Sequence, residues 1–335
     1  MLSNPLNNRS LSFHLESEPA IVTHELTKRY GQRLVVDHLN LVVHQGEAFA
    51  LVGPDGAGKT TTIRLLTGIM SPDGGQARVL GFDTVAEAHR LRKHIGYLPQ
   101  RFGLYDDLTV AENLAFYRDI YQVPKAVYAQ RAAELLDFAD LTAFRSRLAS
   151  QLSGGMRQKL GLICVLIHTP KILFLDEPTF GVDPVSRREF WQILYRLLKG
   201  GLTIFLSTAY MDEAERAHRV GLLNQGRLLI AEAPQAIKAA FQGELLEVRT
   251  PELLSAKKLL SQHPLVRQVL ALGDRLLLTV ERAVTARRPL GDYLQQAGMA
   301  EFHLAPAEPS LEDLFVQLVR QTQPRDSQAL ESSRP

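Results

Sequence analysis

Five apolar residues, Ala48 to Val52, run directly into Gly53-Pro54-Asp55-Gly56-Ala57-Gly58-Lys59-Thr60-Thr61, and no other stretch constrains the fold of this chain as strongly. The segment matches the pattern G-x-x-x-x-G-K-S/T. Its glycines let the backbone turn so that successive N–H groups point inward at phosphate oxygens. Lys59 neutralises the terminal phosphates and Thr60 offers a hydroxyl to Mg²⁺. Such a loop works between a buried strand and a helix whose positive N-terminal end faces the same anion. A helix is therefore expected from Gly58 to Gly68. With glycine at an ordinary frequency, a chance match in a chain of this length is roughly one in a hundred.

The rest of the first 240 residues agrees with that start. Ile172 to Leu175 and Thr203 to Ser207 are short, apolar and followed by turns and helical patterns, as the buried strands of a parallel α/β sheet read. Ile21 to Val43 alternates around Tyr30-Gly31, which suggests antiparallel strands. The pattern changes near Phe241 to Glu244. Beyond it the order is strand, helix, strand, strand, helix, strand, helix: 245–249, 251–262, 266–271, 275–280, 283–297, 301–304 and 310–321. The first six fit a ferredoxin-like split βαβ unit. The expected organisation is thus a flexible tail at 1–19, a nucleotide-binding domain at 20–242, a small α+β domain at 243–321 and a second tail at 322–335.

A second chemical feature is Lys171 to Pro178, an apolar strand ending in Asp176 and Glu177. A buried strand delivers Asp176 at its C-terminal edge, where ligands of open α/β sheets gather. One carboxylate can hold Mg²⁺ and the next can orient or deprotonate an attacking water.

Between these features lies Leu152-Ser153-Gly154-Gly155-Met156-Arg157-Gln158, which resembles the signature sequence of ABC-type ATPases. Ser153 and the two glycines suit a second phosphate site, with a hydroxyl, bare N–H groups and a helix N-terminus facing one anion. Other family positions have matches over about residues 20–240. Tyr30 sits where the family stacks an aromatic ring on adenine. Gln100, in Gly96-Tyr97-Leu98-Pro99-Gln100, matches the glutamine loop that contacts Mg²⁺ and senses the membrane subunit. Asp183, in Gly181-Val182-Asp183-Pro184, matches the loop that communicates across a dimer. The resemblance implies an ATPase of P-loop type with catalytic Glu177, Lys59 and Gln100, metal ligands Thr60, Gln100 and Asp176, and a helical subdomain at about 101–155.

It also implies partners. Two such domains pair head to tail, each ATP held between the phosphate loop of one and Ser153-Gly154-Gly155 of the other. Separate transmembrane subunits convert that cycle into transport. Gly81 to Thr84, Tyr105 to Asn113 and Pro309 to Phe315 resemble the multidrug and antibiotic export branch, the daunorubicin-resistance type. The sequence departs from the family at Ala209, where a histidine normally follows Ser-Thr, and at Asp55, where Asn is usual. Ala209 cannot hydrogen-bond a γ-phosphate, and loss of one oriented donor costs on the order of 10²–10³ in rate. His218, on the next helix, reads as a packed or solvated side chain.

Composition excludes other classes. Lys and Arg number 38 against 36 Asp and Glu, a net +2, so no basic field wraps the molecule for nucleic acid. The one cysteine, Cys164, leaves no internal disulfide or cysteine cluster and reads as a small core residue, which fits a reducing cytoplasmic location. Leu160 to Ile167, among the longest apolar runs, is too short to cross a membrane, so a peripheral place on the cytoplasmic membrane face is expected. Three functions remain in view: the ATPase subunit of an exporter, a regulatory ABC module that binds ATP with little hydrolysis, and a soluble ABC ATPase acting on ribosomes or DNA. The third lacks the paired cassettes or coiled-coil insertion that such proteins carry.

Overall fold

The computed structural model describes residues 18–239, 241 and 243–322. The expected tails lie outside the described residues except at their inner ends, where Pro19 already opens the first strand and Thr322 closes the last helix. Two compact units divide after Ala231, ahead of the change in pattern near Phe241.

The first unit holds strands β1 (Pro19–Tyr30), β2 (Arg33–His44), β3 (Ala48–Val52), β4 (Gly74–Val79), β5 (Phe82–Asp83), β6 (Ile95–Leu98), β7 (Ile172–Asp176), β8 (Thr203–Thr208), β9 (Arg219–Asn224) and β10 (Arg227–Glu232). Its helices are α1 (Lys59–Leu66), α2 (Ala88–Leu91), α3 (Val110–Ile120), α4 (Lys125–Phe138), α5 (Gly154–Leu166), α6 (Pro184–Lys199) and α7 (Met211–Ala214). Two sheets form, in the orders β2-β1-β4-β5 and β10-β9-β3-β8-β7-β6. The first is antiparallel, as expected. In the second, β3 runs parallel to β8 and β9, and β7 parallel to β6 and β8.

Every residue of β3, β7 and β8 is buried. That is why these strands read as unbroken apolar runs: a parallel sheet is covered on both faces, so alternation has no solvent side to report. Phe49, Phe174 and Phe205 pack across the three strands, with centroids 5.5 Å apart for Phe49–Phe205 and 5.7 Å for Phe174–Phe205. Cys164 is buried in α5. His218 stands just before β9 rather than on a helix, and it packs: its Nδ1 accepts from the Ala48 N–H at 2.8 Å at the start of β3, and burial holds its pKa low.

The second unit contains α8 (Pro234–Ala239), β11 (Glu244–Arg249), α9 (Leu253–Leu260), β12 (Val266–Leu272), β13 (Arg275–Val280), α10 (Ala283–Gln296), β14 (His303–Ala307) and α11 (Leu311–Thr322). The sheet order β12-β13-β11-β14, with antiparallel pairing throughout, is the ferredoxin-like arrangement. The last strand runs to Ala307 rather than ending at Leu304. Pro306 lies within it opposite Leu246, which an edge strand tolerates because the missing N–H has no ladder partner to serve. Ser310 caps α11, accepting from the Asp313 N–H at 3.1 Å, and Leu311 and Leu314 are buried beneath it.

Candidate functional site

The parallel strands deliver the site at their C-terminal ends, as open α/β sheets do. After Val52 the chain passes through Gly56 at φ 75° and Gly58 at φ 109°, values that favour glycine. A Cβ on Gly58 would stand 2.4 Å from the Val35 carbonyl oxygen, and one on Gly53 2.2 Å from that of Leu223, so the loop is held tight on both sides by backbone. Helix α1 starts on Gly58 with no side-chain cap. Its first-turn amides therefore have no intrahelical acceptor and face outward as anion donors.

Lys59 is 4% exposed, and its ammonium donates to the carbonyls of Gly53 at 2.8 Å and Pro54 at 3.2 Å. It also pairs with Glu177 Oε1 at 3.1 Å. The other Glu177 oxygen accepts from Gln100 Nε2 at 2.9 Å. Thr60 Oγ1 donates to Asp176 Oδ1 at 3.0 Å, and the Ser207 hydroxyl donates to the same oxygen at 2.6 Å. Ser207 also accepts from the Glu177 N–H at 3.0 Å. Glu177 sits at φ 48°, a left-handed conformation that costs a glutamate energy and persists only when its surroundings impose it. Burial, with the Asp176 charge adding to it, pushes the Tyr97 hydroxyl above its ordinary pKa.

A cleft of about 400 Å³ is lined by Asp55, Gly56, Gly58, Lys59, Thr60, Thr61, Gln100 and Glu177, and Asp176 is bonded to the lining Thr60. Pro54 and Ala57 line the adjoining hollow. A larger cleft, about 1230 Å³, lies at the opposite edge of the sheet, by Lys171 and Thr203 at the strand starts. It holds none of the phosphate-loop residues, and the smaller cleft is the chemically equipped one.

The remaining residues named from sequence stand apart from this cleft. Tyr30 is 48% exposed and its hydroxyl lies 3.3 Å from Met70 Sδ. Ser153 caps α5, accepting from the Met156 N–H at 3.3 Å. Gly154 opens on free space, whereas a Cβ on Gly155 would come within 2.5 Å of Ser186 Cβ. Asp183 caps α6, accepting from the N–H groups of Val185 at 3.0 Å and Ser186 at 2.9 Å; the Ser186 bond first of all holds its carboxyl below the usual range. The starts of α5 and α6 thus meet at Gly155 and Ser186, forming a second cluster.

Several participants were not legible beforehand. Ser207 joins Asp176 only because β7 and β8 are neighbours in register. Arg33, Val35 and Phe180 line the cleft, and of these only Arg33, just past the turn after Tyr30, carried a charge that could have flagged it. Glu213 is fully buried and accepts from the hydroxyls of Thr179 and Thr208.

A family profile described as ABC transporter matches residues 36–180. The chain is 41% identical over 308 residues to the probable multidrug ABC transporter ATP-binding protein YbhF of Escherichia coli, covering 90% of this chain and 52% of that one. It therefore spans about half the length of that relative. With the Nod factor export ATP-binding protein I of Paraburkholderia xenovorans it shares 37% identity over 90% of this chain and 97% of the relative. With the daunorubicin resistance ATP-binding protein DrrA2 of Streptomyces coeruleorubidus it shares 34%, over 89% and 94%. Among solved structures, an ATP binding subunit of an ABC transporter superposes with a TM-score of 0.60 at 29% identity, over 66% of this chain and 92% of that one. A dimeric post-hydrolysis ATP-binding cassette bound to ADP and Pi superposes with a TM-score of 0.58 at 26% identity, over 64% and 98%.

Proposed function

This chain belongs to the ABC transporter family, and from that membership we propose that it binds and hydrolyses ATP to drive export through separate transmembrane subunits. The observation that carries the reading is the cleft in which Lys59, the Glu177–Gln100 pair and Thr60, itself bonded to Asp176, converge.

The α1 amides and Lys59 would hold the β- and γ-phosphates of ATP. Thr60, Asp176 and Gln100 offer oxygen donors suited to Mg²⁺, which when bound neutralises charge on the phosphate oxygens. Arrival of the polyphosphate draws Lys59 from Glu177, and that carboxylate is then free to take a proton from water. The water oxygen bonds to the γ-phosphorus as the bond to the ADP oxygen breaks, giving ADP and phosphate. Tyr30, half exposed, would stack on adenine.

Ser153, Gly154, Gly155 and Asp183 would close on the ATP of a second cassette, a copy of this chain or a related one. The ATP-binding domain would run over 20–242, with residues 101–155 docking the membrane subunits, and 243–321 would form the accessory domain. No described helix is long and apolar enough to cross a membrane; the place proposed, from the family membership, is peripheral on the cytoplasmic face. The names of the relatives, multidrug, Nod factor and daunorubicin, support the export direction. No role in nucleic-acid binding is proposed.

Ala209 supports a second reading, a regulatory module that closes on ATP with little turnover. Mg²⁺-dependent ATP hydrolysis by the purified chain, beside Glu177→Gln, separates the two. Turnover abolished by the substitution is expected. Tight ATP binding without turnover overturns the first reading in favour of the second. Glu177→Gln should also trap an ATP-bound dimer, seen as a doubled mass in ATP and Mg²⁺; a monomer under those conditions refutes the two-cassette clamp.

A further inference from the structure

Glu213, at 0% exposure, is the most deeply buried carboxylate near the site, and no step above uses it. It accepts hydroxyl hydrogen bonds from two segments of the chain. Thr208 Oγ1, at the end of β8, donates to Oε2 at 2.9 Å, and Thr179 Oγ1, two residues after Glu177, donates to Oε1. Arg187 Nε of α6 lies 3.5 Å from Oε1, and the same guanidinium sits 4.3 Å above the ring of Tyr210. The Tyr210 N–H in turn donates to Thr208 Oγ1 at 3.0 Å. One side chain therefore joins the segment leaving Glu177 to the segment carrying Ala209.

We infer that Glu213 is a positioning residue that fixes the Glu177 carboxylate through Thr179 and Thr208. The inference rests on the ATPase reading of the cleft. Glu177 is held at φ 48° and must be restrained from both sides. On the near side its N–H donates to the Ser207 carbonyl at 3.1 Å and to the Ser207 hydroxyl at 3.0 Å. On the far side the Pro178 carbonyl accepts from Gln158 Nε2, and Thr179 is tied to Glu213. Residue 209 is alanine and contributes no side-chain hydrogen bond across the cleft; once the polyphosphate draws Lys59 away, Gln100 and these backbone-side restraints are what set the geometry of the base. Misplacement by about 1 Å costs on the order of 10² in rate.

The test is steady-state hydrolysis by the full chain, with ATP affinity read separately using a fluorescent nucleotide. Glu213→Ala should lower kcat by about 10- to 100-fold while ATP affinity stays within about twofold, because Lys59 and its loop are untouched. Glu213→Gln, which keeps one acceptor, should fall between. Thr179→Val and Thr208→Val should each lower kcat in the wild type and have little effect in the Glu213→Ala background. Unchanged kcat, or a parallel loss of ATP affinity and kcat, overturns the inference in favour of a packing role. Should Glu213→Ala not fold, the two valine variants decide, and unchanged kcat in both is the overturning result. Wild-type protein without Glu177-dependent turnover removes the ATPase reading itself, whereas wild-type turnover with indifferent Glu213 variants removes this inference alone.

Discussion

Gly154 and Gly155 are adjacent, both helical and both within the signature segment, yet alanine should act oppositely at the two. At Gly154 a Cβ meets nothing within 4 Å. Replacing an unconstrained glycine stabilises by about 0.4–1 kcal/mol, because the unfolded chain loses conformational freedom. At Gly155 the new methyl would lie 2.4 Å from Ser186 Oγ and 2.5 Å from Ser186 Cβ. The hydroxyl can rotate away, but the Cβ is fixed to α6, so the starts of α5 and α6 must separate. Overpacking of this kind costs about 1–3 kcal/mol, against a propensity gain of at most about 1 kcal/mol. A net loss of roughly 0–2 kcal/mol is expected for Gly155→Ala from those two figures.

Urea denaturation of both single variants, of Ser186→Gly and of Gly155→Ala/Ser186→Gly tests the account. Removing the Ser186 side chain relieves both contacts, so the double variant should recover about 1–3 kcal/mol relative to additivity. Equal effects at the two glycines, or additivity in the cycle, would refute the packing argument. A functional contrast accompanies the thermodynamic one. Gly154→Ala should fold well and still weaken the ATP-dependent dimer in the Glu177→Gln background, since its methyl would stand in the proposed second phosphate site.

Other perturbations have defined outcomes. Lys59→Ala removes the buried ammonium that Gly53 and Pro54 hold for phosphate, and ATP binding by calorimetry should become undetectable; unchanged affinity would undo the phosphate-loop assignment. Ala209→His restores a donor at the end of β8 and should raise turnover, up to on the order of 10²-fold, whereas equal or lower turnover would mean the site has adapted to another geometry. Burial pushes the Glu47 carboxyl above its ordinary 4.5 despite the His44 amide and Arg219. The folded state then keeps that proton to higher pH than the unfolded chain does, so this group's contribution to stability falls as pH rises from about 4.5 through the raised folded value. Glu47→Gln should flatten that slope in denaturation measured from pH 4 to 7, and an unaltered slope would count against it.

Where a local pattern carried the information, the sequence was readable. The phosphate loop, the carboxylates at the end of β7 and the cap at Ser153 are short segments whose backbone geometry their own residue types impose. The apolar runs of β3, β7 and β8 were legible because burial on both faces leaves one composition. The end of β14 was misjudged because Pro306 reads as a breaker until the strand is known to lie at a sheet edge. Tyr30 and Asp183 were placed by resemblance, and neither lines the phosphate cleft.

What the amino-acid sequence determined by itself was therefore the P-loop class of the first unit, the strand and helix order of the second from β11 onward, and the chemical groups offered to a nucleotide. Tertiary structure decided which of those groups meet. Ser207 reaches Asp176 because parallel pairing sets β8 beside β7, Gly155 is a packing residue because α6 crosses it, and Glu213 bridges Thr179 and Thr208 across 34 and 5 positions of sequence. Contacts of that kind depend on the register of neighbouring strands and the approach of helices, which are fixed by the whole core and not by any one segment.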